Sequence, residues 1–504
     1  MERRSAGYLP SGAAVFAFDN TYARDLEGTY VPWRPAPPSR PALVVLNEPL
    51  AEELDLEVER LRTEGARLLS GADVPEGASP LAQAYAGHQF GGLSPQLGDG
   101  RALLLGELVD REGRRRDLQL KGSGRTPFSR GGDGRATLAP MLREHVIGEA
   151  LHALGIPTSR ALAVTTTGDV VPRERRLPGA VLARVAASHL RIGTFEFFAL
   201  RDDRAQLERL VAYALRRHHP RAEAETPALA LLGAVRDAQA SLVARWMGVG
   251  FVHGVLNTDN VTISGESLDF GPCAFLDAHD PATVFSSIDA RGRYAFGEQP
   301  AVTAWNLARL ASALLPVLHP DEGRAVALAE EALEAWDDRF RAAWLRELRT
   351  RTGLDDPQPD DAALLDPLPG LLRDLRPDHT RFFRALAPAA VGDDAPLRAA
   401  VTDPARLAGP AGERLDGWLA RWRARLGPGA AATADRLRSV NPRVIPRNHR
   451  VEEALDAAVL GDLEPYRRLV AAVRRPFDDD PALATWDEPA PPAFASSYRT
   501  FCGT

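Results

Sequence analysis

One lysine, Lys121, stands in this chain against 60 arginines, and only seven asparagines occur in its 504 residues. Such a bias is what a genome poor in the A-rich codons for Lys and Asn leaves behind. At an exposed position either cation serves, so drift from Lys to Arg costs little. A position that keeps Lys needs a compact ammonium with three rotatable donors on a slim stem, which a planar guanidinium cannot imitate. Phosphate binding in a tight pocket is one such need and Schiff-base chemistry is another. The setting favours phosphate. Asp117-Leu118-Gln119-Leu120-Lys121-Gly122 reads as a short alternating strand ending in glycine. Upstream lie the glycine-rich stretch Gly91 to Arg101 and a second strand-like run, Ala102 to Val109. Glycines let backbone N–H groups approach phosphate oxygens.

A second cluster follows 130 residues later. In protein kinases a catalytic loop runs from an H-R-D triplet to an Asn and then to D-F-G, and the Asn and second Asp hold the metal ions. Aligning His253 with that His places Asn260 and Asp269-Phe270-Gly271 at the metal positions. Val261-Thr262-Ile263 and Leu268 then form a short hairpin. Hard oxygen ligands of this kind suit Mg²⁺ or Mn²⁺. The kinase catalytic Asp falls at Val255, which accepts no proton, and Asp259 is the replacement carboxylate. His253 is read as bracing backbone. Between the clusters, Met141 to Leu151 has helical period and stops at Gly155-Ile156-Pro157. It offers Glu144 as the carboxylate to hold Lys121, with Glu149 a solvated charge. Arg184 and Arg191 are placed to fork around a terminal phosphate, whereas Arg173-Glu174-Arg175-Arg176 reads as a solvated loop.

Tyr85-Ala86-Gly87-His88-Gln89-Phe90-Gly91, Leu97 to Arg101, Leu120 to Arg130 and the block from Asn257 to Gly271 together resemble the selenoprotein O family, whose members have a kinase fold and act as protein adenylyltransferases. The resemblance runs from about Phe18 to Cys502. It implies ATP bound in a flipped orientation, AMP transferred to a Ser, Thr or Tyr hydroxyl of a target protein, and pyrophosphate released. Carried onto this sequence, it makes Gly98, Gly100, Arg101, Asp133 and Gly134 nucleotide contacts, with Lys121 and its partner Glu144 on the phosphates. Arg184 and Arg191 receive the phosphate tail, Asp259 accepts the proton, and Asn260 and Asp269 bind Mg²⁺, Asp269 also touching the nucleotide. Many relatives carry selenocysteine near the C-terminus, where this chain has Cys502. Cys273 is the other cysteine, and a reversible disulfide between the two would pin the tail as a redox gate. Two readings stay open beside adenylyl transfer: a phosphotransferase on a protein or small hydroxyl substrate, and a non-catalytic ATP-binding scaffold.

The length calls for two or three packed units. The expected architecture is α+β, a protein-kinase-like two-lobe fold with an N-terminal wrap and extra C-terminal helices. Residues 1–80 form the wrap, 81–200 the small lobe, 201–352 the large lobe with the metal loop, and 353–504 a helical extension. The net charge of −7 argues against a nucleic-acid footprint. No apolar run is read as long enough to span a bilayer, and the first residues lack a secretory apolar segment. Two cysteines are too few for a disulfide scaffold. The expectation is a cytoplasmic monomer whose partners are ATP and protein substrates.

Overall fold

The structure is a computed structural model that describes residues 14–501. The chain makes two compact units that alternate along the sequence. One takes the residues up to Ala84, Leu97–Leu138 and Ala161–Ala187; the other takes Tyr85–Gln96, Ala139–Arg160 and the residues from Ser188 onward.

The first unit is built on a sheet of eight strands: β1 (Tyr30–Pro32), β2 (Ala42–Leu46), β3 (Leu81–Gln83), β4 (Ala102–Val109), β5 (Arg115–Lys121), β6 (Ala136–Thr137), β7 (Arg160–Pro172) and β8 (Arg176–Ala186). Its order is β1-β3-β4-β5-β8-β7-β2, with β6 paired to β8. The N-terminal segment therefore supplies both outermost strands of that path, which is how a Pro-rich stretch with few free donors is used best. The period of two in β5 divides the sheet by chemistry. Leu118 and Leu120 enter a core with Leu105, Leu108, Leu162, Val181 and Val185. Leu50, Leu54, Leu61 and Leu69 close that core, from and beside helices Glu48–Glu53 and Val58–Leu68. Asp117, Gln119 and Lys121 alternate with those leucines and are also buried.

The second unit is mainly helical. Helices α1 (Leu138–Ala153), α2 (Pro227–Val249) and α3 (Gln299–Leu318) surround two-residue strands at Phe251–Val252 and Ala274–Phe275, which pair antiparallel. Further helices from Trp336 onward pack a separate core around the stacked rings of Trp418 and Trp422. Glu322–Glu334 and Trp336–Thr352 are two successive helices. The segment 296–318 is long and apolar enough by length and composition to cross a membrane, which corrects the expectation that no run reaches that length. Its polar residues have a local use. Gln299 and Asn306, both fully buried, grip the loop that follows Phe251, as described below.

Candidate functional site

In the first unit, residues from Gly98 to Arg101 form a cradle clamped on both sides. The Gly122 N–H donates to the Arg101 carbonyl at 2.7 Å, and the Thr126 hydroxyl donates to the Asp99 carbonyl at 2.6 Å. The Asp99 carboxylate accepts from the Gln83 N–H at 3.0 Å. Gly98 has φ +67, and a Cβ there would lie 2.3 Å from the Phe128 ring, so only glycine fits. Lys121, 5% exposed, sits at the end of β5 between Ala102 of β4 and Leu182 of β8. Two residues back on the same face, Gln119 accepts from the buried Arg184 guanidinium at 2.5 Å and lies opposite it in register. Lys121, Gln119 and Arg184 thus share one polar face of a sheet whose other face is leucine and valine.

The turn with Asp133 and Gly134 folds back on residues 122–125. Gly134 has φ +67, and a Cβ there would lie 2.1 Å from the Gly124 carbonyl oxygen. Asp133 is gripped by Arg173 through two hydrogen bonds, 2.8 and 3.1 Å, and this pairing holds its carboxyl below the usual range. Arg173 is therefore more than a solvated loop charge: it fixes the acidic residue of the turn. Gly91 and Gly92 do not belong to the cradle. Phe90 (φ +53) and Gly91 (φ +83) are the two turn residues of a hairpin joining Gly87–Gln89 to Gly92–Ser94 in the second unit, the backbone of a type I′ turn.

The second unit holds Glu144, Arg191, Asp259, Asn260, Asp269 and Cys273. The loop from His253 to Cys273 is closed at its base by the paired strands Phe251–Val252 and Ala274–Phe275. His253 is buried and bonds from Nε2 to the Leu268 carbonyl at 2.9 Å, while Nδ1 accepts from the Val255 N–H at 3.4 Å. Burial lowers its pKa, so it acts as a neutral brace. Val255 contributes its carbonyl, which accepts from Asn260 Nδ2 at 3.0 Å, so the amide oxygen is the Asn260 atom that could face a cation. Asp269 adopts φ +64, a conformation Asp tolerates better than most residues. One amide oxygen and one carboxylate, rather than a cage, could hold a cation that keeps waters and binds polyphosphate. Among the described residues no cluster of three or more His, Cys, Asp or Glu could hold a metal alone.

Asp259 is half-buried. Its Oδ2 accepts from Gln89 Nε2 at 3.3 Å, and its Oδ1 has no hydrogen-bond partner. Burial raises its pKa to about 6, with Arg191 and Gln89 opposing and the charge of Asp269 adding to the rise. Arg191 is buried, donates to the Asp259 backbone carbonyl at 3.3 Å and lies 4.2 Å over the Tyr85 ring. Tyr85 and Gln89 entered the sequence reading only as part of a family-like block with no role of their own, yet they contact the arginine and the carboxylate. Arg184 and Arg191 lie on different units.

The anticipated hairpin between Val261–Ile263 and Leu268 is absent. The Thr262 hydroxyl donates to the Glu266 carbonyl at 2.7 Å and accepts from its N–H at 2.9 Å, closing a turn, and Thr262 pairs with Arg191. Supports for the loop come from far along the chain. Gln299 accepts from the His253 N–H at 3.0 Å and donates to the Phe251 carbonyl at 3.0 Å. Asn306 donates to the Leu256 carbonyl at 2.9 Å. Asn448 bonds Phe275, in the strand that closes the loop, twice, at 2.8 and 3.3 Å. Next to it, Arg447 is fully buried against Asp378 and Asp277.

On α1, Glu144 is 5% exposed. Its neighbour Arg143 donates to the Cys273 carbonyl at 2.6 Å and to the Tyr498 hydroxyl at 3.1 Å. Glu149 is not a solvated charge. It is 2% exposed and paired with Arg160 at 2.8 Å and Arg474 at 2.8 Å. Burial pushes its carboxyl up, and Arg160, His145 and Arg474 more than reverse this, to about 2. The folded-state pKa is depressed, so the stability is present above the unfolded value near 4.5 and is lost as pH falls toward 2. Glu149→Gln is expected to lower unfolding free energy by about 3 kcal/mol at pH 7. In urea titrations the gap to the parent should shrink below pH 4.5; equal stability at pH 7 contradicts the assignment. Cys273 is fully buried, its thiol 3.2 Å from the Phe270 carbonyl, and burial pushes its pKa up to about 12. Cys502 lies outside the described residues.

The sequence from residue 15 to 474 matches a family described as "Protein adenylyltransferase SelO". Curated relatives named "Protein nucleotidyltransferase YdiU" include one from Cereibacter sphaeroides, 57% identical over 492 residues that cover 97% of this chain and 100% of the relative. Another from a Mycobacterium species is 55% identical over 491 residues, 97% of this chain and 99% of the relative. One from Rhizobium etli is 52% identical over 496 residues, 97% and 98%.

Proposed function

We propose, from the premise that this chain belongs to the protein adenylyltransferase SelO family and is a protein nucleotidyltransferase, that it transfers AMP from ATP to a Ser, Thr or Tyr hydroxyl of a target protein. The hydroxyl oxygen attacks the α-phosphorus, the bond from that phosphorus to the bridging oxygen breaks, and pyrophosphate leaves with the electron pair. The hydroxyl proton passes to Asp259. Lys121, Arg101 and Arg184, with the backbone at Gly98, Gly100 and Gly134, bind and orient the phosphates. Arg191, stacked on Tyr85, supplies fixed positive charge beside Asp259. Asn260 and Asp269 are the residues to hold Mg²⁺ or Mn²⁺, which when bound neutralises charge on the phosphates. In this reading the sheet unit is the small lobe and the helical unit the large lobe of a kinase-like fold.

The observation that carries the reading is the displaced carboxylate. Val255, at the kinase base position, is spent on orienting Asn260, while Asp259 presents an oxygen with no hydrogen-bond partner. The test uses ATP labelled at the α- or the γ-phosphate. Full-length protein is expected to incorporate the α-label into a protein acceptor, with an intact-mass gain of one AMP. Incorporation of γ-label alone would make the chain a phosphotransferase; metal-independent binding with no transfer would make it a scaffold.

The Cys273–Cys502 disulfide belongs to the same proposal. The Thr500 hydroxyl donates to the Pro272 carbonyl at 2.6 Å, so the residue two before Cys502 in sequence docks on the residue before Cys273. Non-reducing mass spectrometry of mildly oxidised native protein should find a linked peptide pair; two free thiols would remove the gate.

A further inference from the structure

Beyond the groups used above, the second unit contains a polar cavity of about 580 Å³. One wall is the segment that begins about a dozen residues after Asp269-Phe270-Gly271 and contributes Thr283, Ser286, Ser287 and Asp289; the other comes from Arg376 and the tail residues Ser496 and Arg499. The wall contacts are specific. Asp289 is buried with both carboxylate oxygens committed to backbone, accepting from the Arg293 N–H at 3.0 Å and the Tyr294 N–H at 2.7 Å. Arg376 pairs with Asp280 at 2.7 Å at the margin. Arg499 bonds the Tyr498 carbonyl at 2.7 Å and, among the described residues, has no acidic partner. Ser286 is 3% exposed, and its hydroxyl has no hydrogen-bond partner.

Two guanidinium groups and several hydroxyls around a cavity whose lining carboxylate, Asp289, spends both oxygens on backbone donors make a donor-rich surface. Guanidinium forks and hydroxyl donors match a tetrahedral oxyanion better than an apolar or cationic ligand. We propose that this cavity binds a phosphoryl group, free or as a phosphate ester. The proposal does not depend on AMP transfer. It does assign a consequence to occupancy, because two lining residues belong to the tail. Thr500 is held by the Ser287 N–H to its carbonyl at 2.9 Å and by its own N–H to Phe285 at 2.8 Å, so a phosphoryl group bridging Arg499 and Arg376 adds a clasp to the tail's seat.

The test is calorimetric titration of inorganic phosphate into full-length protein carrying Lys121→Gln, so that the nucleotide face does not report. Binding tighter than about 10 mM is expected. The further double change Arg376→Gln, Arg499→Gln should weaken it at least about tenfold without lowering the melting temperature. Ser287→Glu, which places a carboxylate on an exposed lining position, should abolish it. A phosphoserine peptide that binds more tightly than phosphate, while its unphosphorylated form does not bind, assigns the esterified source; equal affinity assigns the free anion. No binding up to about 10 mM, or binding indifferent to all three substitutions, overturns the proposal.

Discussion

Lys121→Arg is expected to lower α-label transfer by at least about a hundredfold while the protein stays folded and keeps its net charge. The size follows from what one preorganised donor contributes to a developing phosphate charge, about 10²–10³ in rate. The cause is shape rather than charge. Lys121 is nearly fully buried at the end of a strand paired on both sides, and the next residue leaves no slack: a Cβ on Gly122 would sit 2.7 Å from both the Ala136 methyl and the Ala180 carbonyl oxygen. A guanidinium is wider, planar and directional, so it must either displace these neighbours or point its fork away from where the ammonium points. The measurement is kcat/KM with labelled ATP beside calorimetry of nucleotide plus magnesium. Turnover within about threefold of the parent would mean that the lone lysine is an accident of codon use and not a phosphate ligand.

The same codon argument explains what could be read from sequence and what could not. Lys121 stood out because its environment resisted a drift that touched nearly every other cation. The asparagines carried the same signal. Asn257 and Asn260 lie in the loop, and Asn306 and Asn448 reach it from 46 and 188 residues beyond Asn260; four of the chain's seven therefore serve one loop. Scarcity marks these positions, but it does not say which carbonyl each side chain meets. Gln89 and Tyr85 stood in the sequence only as members of a family-like block, because their roles depend on a hairpin turn with two positive φ values. The glycines at 91 and 92 looked like phosphate-loop glycines because a type I′ turn and a nucleotide cradle ask for the same backbone freedom. Glu149 was misread for a related reason. A carboxylate on a helix is usually solvated, and its partner Arg474 is 325 positions away, beyond the reach of any periodicity argument. The anticipated hairpin after Asn260 failed because local hydroxyl bonds from Thr262 outcompeted strand pairing.

Those local bonds matter for the remaining expectation, which separates the two acids of the loop. Asp269→Asn should lower transfer at saturating Mg²⁺ by about a thousandfold, and Asp259→Ala by less, about ten- to a hundredfold. Asn is the informative replacement at 269 because it tolerates φ +64 nearly as well as Asp does. The loss then reports the missing charge and not a strained turn, whereas Asp269→Ala would mix the two. Positioning and charge neutralisation supply most of the barrier reduction in phosphoryl chemistry, and the hydroxyl proton departs late. A group that only receives that proton can be replaced in part by water, while a ligand carrying the counter-charge of the phosphates has no such substitute. Arg191 still holds the backbone carbonyl of residue 259 in the Ala variant, and the Gln89 amide, which loses its carboxylate acceptor, is left to bond a water in the space the carboxylate vacates. Asp269→Ala or Asp269→Asn retaining more activity than Asp259→Ala would reverse these roles, making Asp259 the group on which the phosphates depend.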